Sequence, residues 1–142
     1  MSSLDWSTTS VETHISSVFF AGDRAYKLLK PLRTGFLDHS DVGRRAESIR
    51  REFELNRRLA PDVYVGLDDL HEDGRLTDRL LVMRRLPDDR RLSALVDQPG
   101  FTDHLRRVAH AIAAFHASLP PVEERYPMST AAGLSALWSS SF

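Results

Sequence analysis

The chain has 142 residues, of which 42% are hydrophobic and 27% are charged, and these proportions exclude a disordered or collagen-like polypeptide. The 19 basic and 20 acidic side chains leave a formal charge of −1, so no overall field attracts nucleic acid or an anionic membrane. The absence of cysteine excludes disulfides and thiolate chemistry and fits a reducing cytoplasm. No stretch approaches ~18 consecutive apolar residues and the start carries no leader pattern, so we expect a cytoplasmic protein without a membrane partner.

The first elements along the chain form a predicted β-hairpin. Residues 1–10 are small and polar and predict a flexible N-terminus, whose end can add a short edge strand at 8–12. Residues 15–20 are rich in β-branched and aromatic side chains, a glycine–aspartate pair supplies a turn, and the extended pattern resumes at 25–29 before a proline. The second strand of this hairpin carries Lys27.

The next element is an amphipathic helix between residues 42 and 60. Its apolar residues recur at three- and four-residue steps and Pro61 follows its end, which is the pattern of a helix with one buried face. We expect Ile49, Phe53 and Leu59 to face a sheet and the arginines to face outward. The apolar positions are Val42, Ala46, Ile49, Phe53 and Leu59.

The same helix is rich in arginine, which raises the alternative of a nucleic-acid-binding surface. Glutamates lie three or four residues from these arginines, a spacing that favours ion pairs within the helix on a solvated face. We therefore expect a salt-bridged surface, and nucleic acid is not an expected partner. The arginines are at positions 44, 45, 50, 51, 57 and 58, and the glutamates are at 47, 52 and 54.

A second hairpin is predicted after the helix. Residues 63–70 and 79–86 both have an extended pattern, and they flank a segment in which Glu72-Asp73-Gly74 signals a turn. Strands grouped around one helix and followed by further helices indicate an α+β structure, with an antiparallel sheet packed on one amphipathic helix. We expect four or five strands in this sheet.

The C-terminal part is predicted to be helical. Residues 91–97 favour a short helix, and an apolar stripe from 101 to 119 predicts a helix of about five turns that ends before two prolines. We interpret this stripe as core packing, with His116 partly buried and neutral. A weaker helical pattern covers 134–138, near an apolar chain end.

Short motifs in this order of elements resemble the amino-terminal lobe of a protein-kinase-like enzyme. Lys27, in the run Ala-Tyr-Lys-Leu, is similar to the strand lysine that contacts the α- and β-phosphates of ATP. Glu52, in the run Arg-Glu-Phe-Glu-Leu on the following helix, is similar to the glutamate that pairs with that lysine. Met83 takes the place of the bulky residue that guards the adenine pocket, and the resemblance implies adenine contacts from the Arg84 carbonyl and the Leu86 N–H.

A wider set of runs resembles the aminoglycoside-phosphotransferase-like family, in the bacterial type that is often fused to a P-loop ATPase domain. The resemblance covers about residues 11 to 119 and implies a kinase-like amino-terminal lobe followed by the first helices of a truncated helical lobe. The implied division is a flexible N-terminus at 1–10, the kinase-like lobe and hinge at 11–87, and an incomplete helical lobe at 88–142. The runs that carry the resemblance are 12–16, 22–27, 30–31, 36–38 and 51–60.

The glycine-rich loop of the kinases has no counterpart here, because no two of the seven glycines are two residues apart. The resemblance to the small polar loops of the aminoglycoside-phosphotransferase-like proteins implies that Thr13, Ser16 and Ser17 cover the phosphates instead. In kinases the residues that orient the acceptor and hold Mg²⁺ follow the long helix, whereas here no aspartate follows Asp103 and no asparagine follows Asn56. We expect no catalytic residue and no metal ligand in this chain.

One H-x-D sequence does occur, at His39-Ser40-Asp41. It precedes the helix that carries Glu52, and Ala46 stands where a kinase catalytic loop has asparagine. We interpret the match as coincidence.

Together these features predict the nucleotide-binding half of an ATP-dependent small-molecule phosphotransferase. ATP with Mg²⁺ and a small-molecule acceptor are what the resemblance implies for a full-length member of the family. The alternative is a non-catalytic, pseudokinase-like interaction module or a truncated gene product, and on either interpretation this chain is expected to be inactive alone. The apolar Trp138 and Phe142 near the chain end predict self-association.

Overall fold

A computed structural model describes residues 9–35, 37–121 and 130–140, and the side chains of 137 and 140 are not described. The chain divides into two compact units, Met1–Val96 and Asp97–Phe142. The fold is mixed α+β, as predicted. Most of the predicted flexible N-terminus, residues 1–8, lies outside the described residues.

The described elements follow the predicted order along the chain. A short 3-10 helix, Asp88–Arg90, follows the last strand. The strands are β1 Ser10–Glu12, β2 Ser16–Ala21, β3 Arg24–Leu29, β4 Tyr64–Glu72 and β5 Arg75–Arg84, and the helices are α1 Val42–Asn56, α2 Leu92–Leu95, α3 Phe101–Ser118 and α4 Ala131–Ser140.

The five strands form one antiparallel sheet in the order β1-β2-β3-β5-β4. Each predicted hairpin is confirmed, and each turns where the backbone adopts positive φ. Gly22 has φ 57°, while Asp73 and Gly74 have φ 49° and 77°, as the two central residues of a tight hairpin turn require. Because the second turn needs only these two residues, β4 ends later and β5 begins earlier in the sequence than predicted.

Helix α1 crosses one face of the sheet and closes the hydrophobic core. Ile49 is fully buried against Leu29 and Leu81, and Phe53 packs on this cluster. The predicted inward positions of Ile49 and Phe53 are therefore confirmed. The prediction for Leu59 is wrong: this side chain is 53% exposed, because α1 ends at residue 56 and the chain leaves the helical path before Leu59.

The expectation that all arginines of this helix face outward is also wrong. Arg45 is buried, and its guanidinium forms an ion pair with Asp78 on β5. The helical period places Arg45 beside Ala46 on the side of α1 that meets the sheet, where only a carboxylate from another element makes the charge tolerable.

Asp41 is the N-cap of α1, which gives this residue of the H-x-D sequence a structural role. Its carboxylate accepts a hydrogen bond of 3.2 Å from the Arg44 N–H, one of the helix-start donors that lack a partner inside the helix.

We expect Asp41→Ala to lower the free energy of unfolding by about 1 kcal/mol. Asp41→Asn keeps the acceptor oxygen and should remain within a few tenths of a kcal/mol of wild type. Urea denaturation of the three proteins measures both changes, and equal stability of the alanine and asparagine variants would contradict the capping role.

The second unit contains α3 and α4, both close to their predicted positions. The interpretation of the α3 stripe as core packing is wrong for the middle of the stripe, because Leu105, Val108 and Ile112 are 40%, 48% and 43% exposed. Phe101, Phe115 and Leu119, at its two ends, are half-buried. His116 is exposed rather than partly buried. The helical period identifies an apolar face, but it does not indicate whether another element covers that face.

Within the described residues, none of the helices combines the length and apolar character needed to cross a membrane.

Candidate functional site

The centre of the candidate site is an ion pair between Lys27 on β3 and Glu52 on α1. The lysine Nζ donates to both glutamate oxygens, Oε1 and Oε2, at 2.8 Å each. The two side chains are 19% and 26% exposed, so water weakens this attraction less than it weakens a fully solvated pair. The predicted approach of these charges to within about 4 Å is confirmed.

The sheet register explains why Lys27 points at the helix. In the antiparallel ladder Lys27 lies opposite Val18 on β2 and Leu81 on β5, and Leu81 belongs to the core under α1. Directly opposed residues of antiparallel strands point to the same face, so Lys27 shares the helix-facing side with Leu81. Glu52 lies three residues after the buried Ile49, which places its carboxylate at the edge of the same packed surface.

A cavity of about 370 Å³ opens beside this ion pair. It lies between β3, the loop before α1 and one side of α1, and its volume is in the range of ligand-binding pockets. Apolar side chains form part of the wall, and polar side chains of α1 spaced by three and four residues form another part. The lining residues are Ile15, Lys27, Leu29, Leu37, His39, Ser48, Arg51, Glu52, Leu55 and Asn56.

His39 contributes a buried polar group to the cavity wall. It is 4% exposed, and its Nδ1 has no hydrogen-bond partner among the described residues. Its backbone is fixed at both ends, since its N–H donates to the Leu32 carbonyl and its carbonyl accepts from Arg45. A buried ring nitrogen without a partner costs about 1–3 kcal/mol, so this wall has a polar atom that a partner would stabilise.

The negative charge of Glu52 also affects a neighbouring phenol. Burial, and after it the Glu52 carboxylate, raises the pKa of Tyr64 above its usual value. Tyr64 packs against the core cluster beneath α1. The carboxylate therefore retains an effect on its surroundings in spite of its pairing with Lys27.

The loop that was expected to cover phosphates is a tight turn between β1 and β2. The Thr13 hydroxyl accepts a 2.9 Å hydrogen bond from the Ser16 N–H and lies 2.9 Å from the Ser16 hydroxyl. Ser16 is 3% exposed. Hydrogen bonds from Lys30 and, to a smaller extent, from the Ser17 hydroxyl lower the pKa of the Glu12 carboxyl group. The three predicted hydroxyls thus have partners inside the turn.

The tip of this turn offers backbone donors instead. Among residues 9–35, 37–121 and 130–140, the N–H groups of His14 and Ile15 have no backbone acceptor. Ile15 also lines the cavity beside Lys27. A phosphate contact from this loop would therefore come from main-chain N–H groups more readily than from hydroxyls.

The predicted hinge residues lie at the end of β5. Met83 packs against the core on the Lys27 face, opposite Ala25 in the ladder. The Arg84 N–H donates to the Val63 carbonyl at 2.8 Å. Leu86 is 54% exposed, and its N–H has no backbone acceptor within the described part of the chain.

The predicted salt-bridged surface of α1 is confirmed only in part. Among the described residues Arg50 forms the predicted pairs within the helix, with Glu47 and Glu54. Arg44 and Arg45 pair instead with carboxylates outside the helix, Asp38 and Asp78.

Several cavity residues were not predicted from the sequence, namely Ser48, Arg51, Asn56 and His39. Ser48 and Asn56 lie four residues before and after Glu52, so the helical period alone places them on its side of α1. For His39 no comparable signal exists, because it belongs to an irregular loop whose path depends on tertiary contacts.

Comparisons with known proteins find relatives that are named only as uncharacterized proteins. It is 39% identical over 107 residues to an uncharacterized protein of Mycobacterium bovis and to uncharacterized proteins of two strains of Mycobacterium tuberculosis. The matched region is 74% of this chain but 22% of each relative, so the chain spans about a fifth of the length of these relatives. No protein-family model matches the chain. No solved structure matches it either.

Proposed function

We propose that this chain is the nucleotide-binding half of an ATP-dependent small-molecule phosphotransferase of the aminoglycoside-phosphotransferase-like kind, with a kinase-like amino-terminal lobe. The observation that carries the proposal is the bidentate contact between Lys27 and Glu52 at the edge of a cavity. In kinases the corresponding ion pair positions the lysine on the phosphates of ATP. The five-stranded antiparallel sheet with one helix packed across it is the arrangement that we expect for such a lobe.

The geometry of the ion pair supports binding of a phosphate. A lysine ammonium has three N–H donors, and Glu52 accepts two of them. One donor is left for a ligand, and its direction is fixed by the other two. An oriented ammonium that faces a cavity is suited to a charge-assisted hydrogen bond with a phosphate oxygen.

The end of β5 supports a role in holding an adenine ring. Met83 lies on the same face of the sheet as Lys27, and Leu86 follows it by three residues with its N–H directed to no described backbone acceptor. An adenine edge presents one hydrogen-bond acceptor and one donor side by side. We assign the Leu86 N–H as the donor to the adenine acceptor, and the Arg84 carbonyl as the acceptor for the adenine donor.

The described residues do not fit a bound Mg²⁺ ion. No group of three or more histidine, aspartate or glutamate side chains in the described residues could hold a metal. Glu52 is committed to Lys27, and the other acidic groups near α1 are paired with arginine. Metal-binding and acceptor-orienting residues are therefore not assigned among the described residues, and no step of the reaction is derived from them.

Titration with ATP by isothermal calorimetry tests the proposal. We expect weak binding by the wild-type chain and a loss of about 10- to 100-fold in Lys27→Met, because one charge-assisted hydrogen bond to phosphate contributes about 1.5–3 kcal/mol. Glu52→Gln should weaken binding in the same direction, since it releases the orientation of the lysine.

Glu54→Gln is the matched control, because it makes the same change on the same helix at a residue paired with Arg50 outside the cavity. It should bind ATP as wild type does, and circular dichroism should show that all variants remain folded. No binding by the wild-type chain at millimolar ATP, or equal binding by Lys27→Met, would contradict the proposed function.

A non-catalytic interaction module is the second candidate, and the exposed apolar face of α3 favours it. Leu105, Val108 and Ile112 form this face. The exposed apolar face of α3 also supports the predicted self-association. Trp138 on α4, which is 70% exposed, supports it as well. Phe142, the other residue of that prediction, lies outside the described residues.

A further inference from the structure

The ion pair at the centre of the cavity offers a phosphate a hydrogen bond at contact but little attraction at longer range. Lys27 carries one positive charge and Glu52 one negative charge, and the Lys27 Nζ is 2.8 Å from each Glu52 oxygen. At a distance larger than this separation the two charges largely cancel. Another positive group beside the pair would add the long-range attraction that the pair lacks.

Arg51 is such a group. It lines the cavity and immediately precedes Glu52 on α1, so the two Cα atoms are about 3.8 Å apart. Within the described ranges of the chain, its guanidinium forms no ion pair with a carboxylate. The acidic group one turn before it, Glu47, is hydrogen-bonded to Arg50, and that hydrogen bond is the main reason that the Glu47 pKa is lowered, with a smaller contribution from the charge of Arg51.

The neighbouring arginines make the contrast clear. Arg44 is paired with Asp38, Arg45 with Asp78, and Arg50 with two glutamates. These guanidinium groups are neutralised by the protein itself. Arg51 keeps its charge at the mouth of a cavity, which gives the cavity a net charge of +1 from its lysine, glutamate and arginine.

The rest of the cavity wall is compatible with an anion held by hydrogen bonds. Ser48 precedes Arg51 by three residues and Asn56 follows it by five, and both line the cavity. A hydroxyl and an amide can each donate to a phosphate oxygen. The unpartnered Nδ1 of the buried His39 adds a polar atom to the wall on the other side.

We propose that Arg51 is the anion-binding residue of this cavity, and that it contacts the outermost phosphate of a polyphosphate ligand whose inner phosphates lie on Lys27. This inference rests on the proposed function, because it assigns the inner phosphates to the lysine. Arg51 is exposed and lines the cavity, whereas Lys27 lines it from a mostly buried position between β3 and α1. We therefore assign the outer end of a bound polyphosphate to the exposed Arg51 and its inner part to Lys27.

The test compares ATP, ADP and inorganic tripolyphosphate by calorimetric titration of wild type, Arg51→Gln and Arg44→Gln. Arg51→Gln should weaken ATP and tripolyphosphate binding about 10-fold or more, because a charge-assisted contact to the last phosphate is lost. It should weaken ADP binding clearly less, since ADP loses only the longer-range attraction of the guanidinium. Arg44→Gln removes the same charge from an exposed arginine of α1 that is paired with Asp38 and does not line the cavity. It should leave all three affinities within about twofold of wild type, since a solvated charge outside the cavity is screened.

The outcomes separate this inference from the function on which it rests. If wild type binds ATP and Lys27→Met weakens it, but Arg51→Gln binds ATP as wild type does, the inference is overturned and the nucleotide function stands. If wild type binds tripolyphosphate but not ATP, and Arg51→Gln abolishes that binding, the nucleotide function fails and the anion site at Arg51 is supported. Equal losses in Arg51→Gln and Arg44→Gln would show a general charge effect and would overturn the inference.

Discussion

Arg45→Ala is expected to lower the free energy of unfolding by about 3–5 kcal/mol, the largest stability loss that the structure predicts for a charged residue. The Arg45 side chain is 7% exposed and Asp78 is 15% exposed. Arg45 Nε donates to Asp78 Oδ2 at 3.0 Å, and a terminal guanidinium nitrogen lies 2.9 Å from the same oxygen. The other terminal nitrogen donates to the His39 carbonyl at 3.0 Å.

The loss is large because the variant leaves the Asp78 carboxylate without a compensating positive charge. The carboxylate is mostly buried, and among the described residues it keeps only the hydrogen bond from the Arg79 N–H, at 3.0 Å. The variant also removes the hydrogen bond that ties the loop before α1 to the helix. Asp78→Ala should cost a similar amount, since it strands the arginine instead. Urea denaturation followed by circular dichroism measures both variants.

Two further variants show whether the stability loss comes from the burial of the Arg45–Asp78 ion pair or from the removal of any charge on α1. Arg50→Ala breaks exposed ion pairs on the same helix and should cost less than about 1 kcal/mol. The double variant Arg45→Met with Asp78→Leu removes both buried charges and should recover most of the loss. A cost below 1 kcal/mol for Arg45→Ala, or a double variant as unstable as the single ones, would contradict this account.

The sequence predicted the local elements of the first unit well because their signals are local. Extended apolar segments around the turn signals at Gly22 and at Asp73-Gly74 define the two hairpins, and the three- and four-residue spacing around Ile49 defines α1. Lys27 and Glu52 were found from the motif resemblance. They are 25 positions apart, and periodicity alone does not indicate which distant residues form a pair.

The remaining features depend on contacts that are distant in sequence. Arg45 and Asp78 are 33 residues apart, so the helix pattern indicated a solvated arginine where the fold supplies a buried partner. The α3 stripe is a related case, because apolar periodicity was read as burial and Val108 is 48% exposed. The cavity residue His39 belongs to a loop whose position is set by Leu32 and Arg45.

The chain alone is expected to transfer no phosphoryl group from ATP, even if it binds the nucleotide. Transfer spreads negative charge over the moving group, and enzymes compensate this charge with metal ions and oriented donors. Removal of even one such donor costs about 10²–10³ in rate. The described residues hold no metal-binding cluster, and the charge of Lys27 is shared with Glu52.

The assay incubates the purified chain with Mg²⁺, radiolabelled ATP and either an aminoglycoside, a sugar or a protein acceptor, and Lys27→Met is purified in parallel to measure contaminating kinases. Equal, background counts in both proteins are the expected result, because Lys27 and Arg51 can bind phosphates but neither can hold Mg²⁺ or take the acceptor proton. Steady turnover by wild type that is lost in Lys27→Met would contradict the prediction.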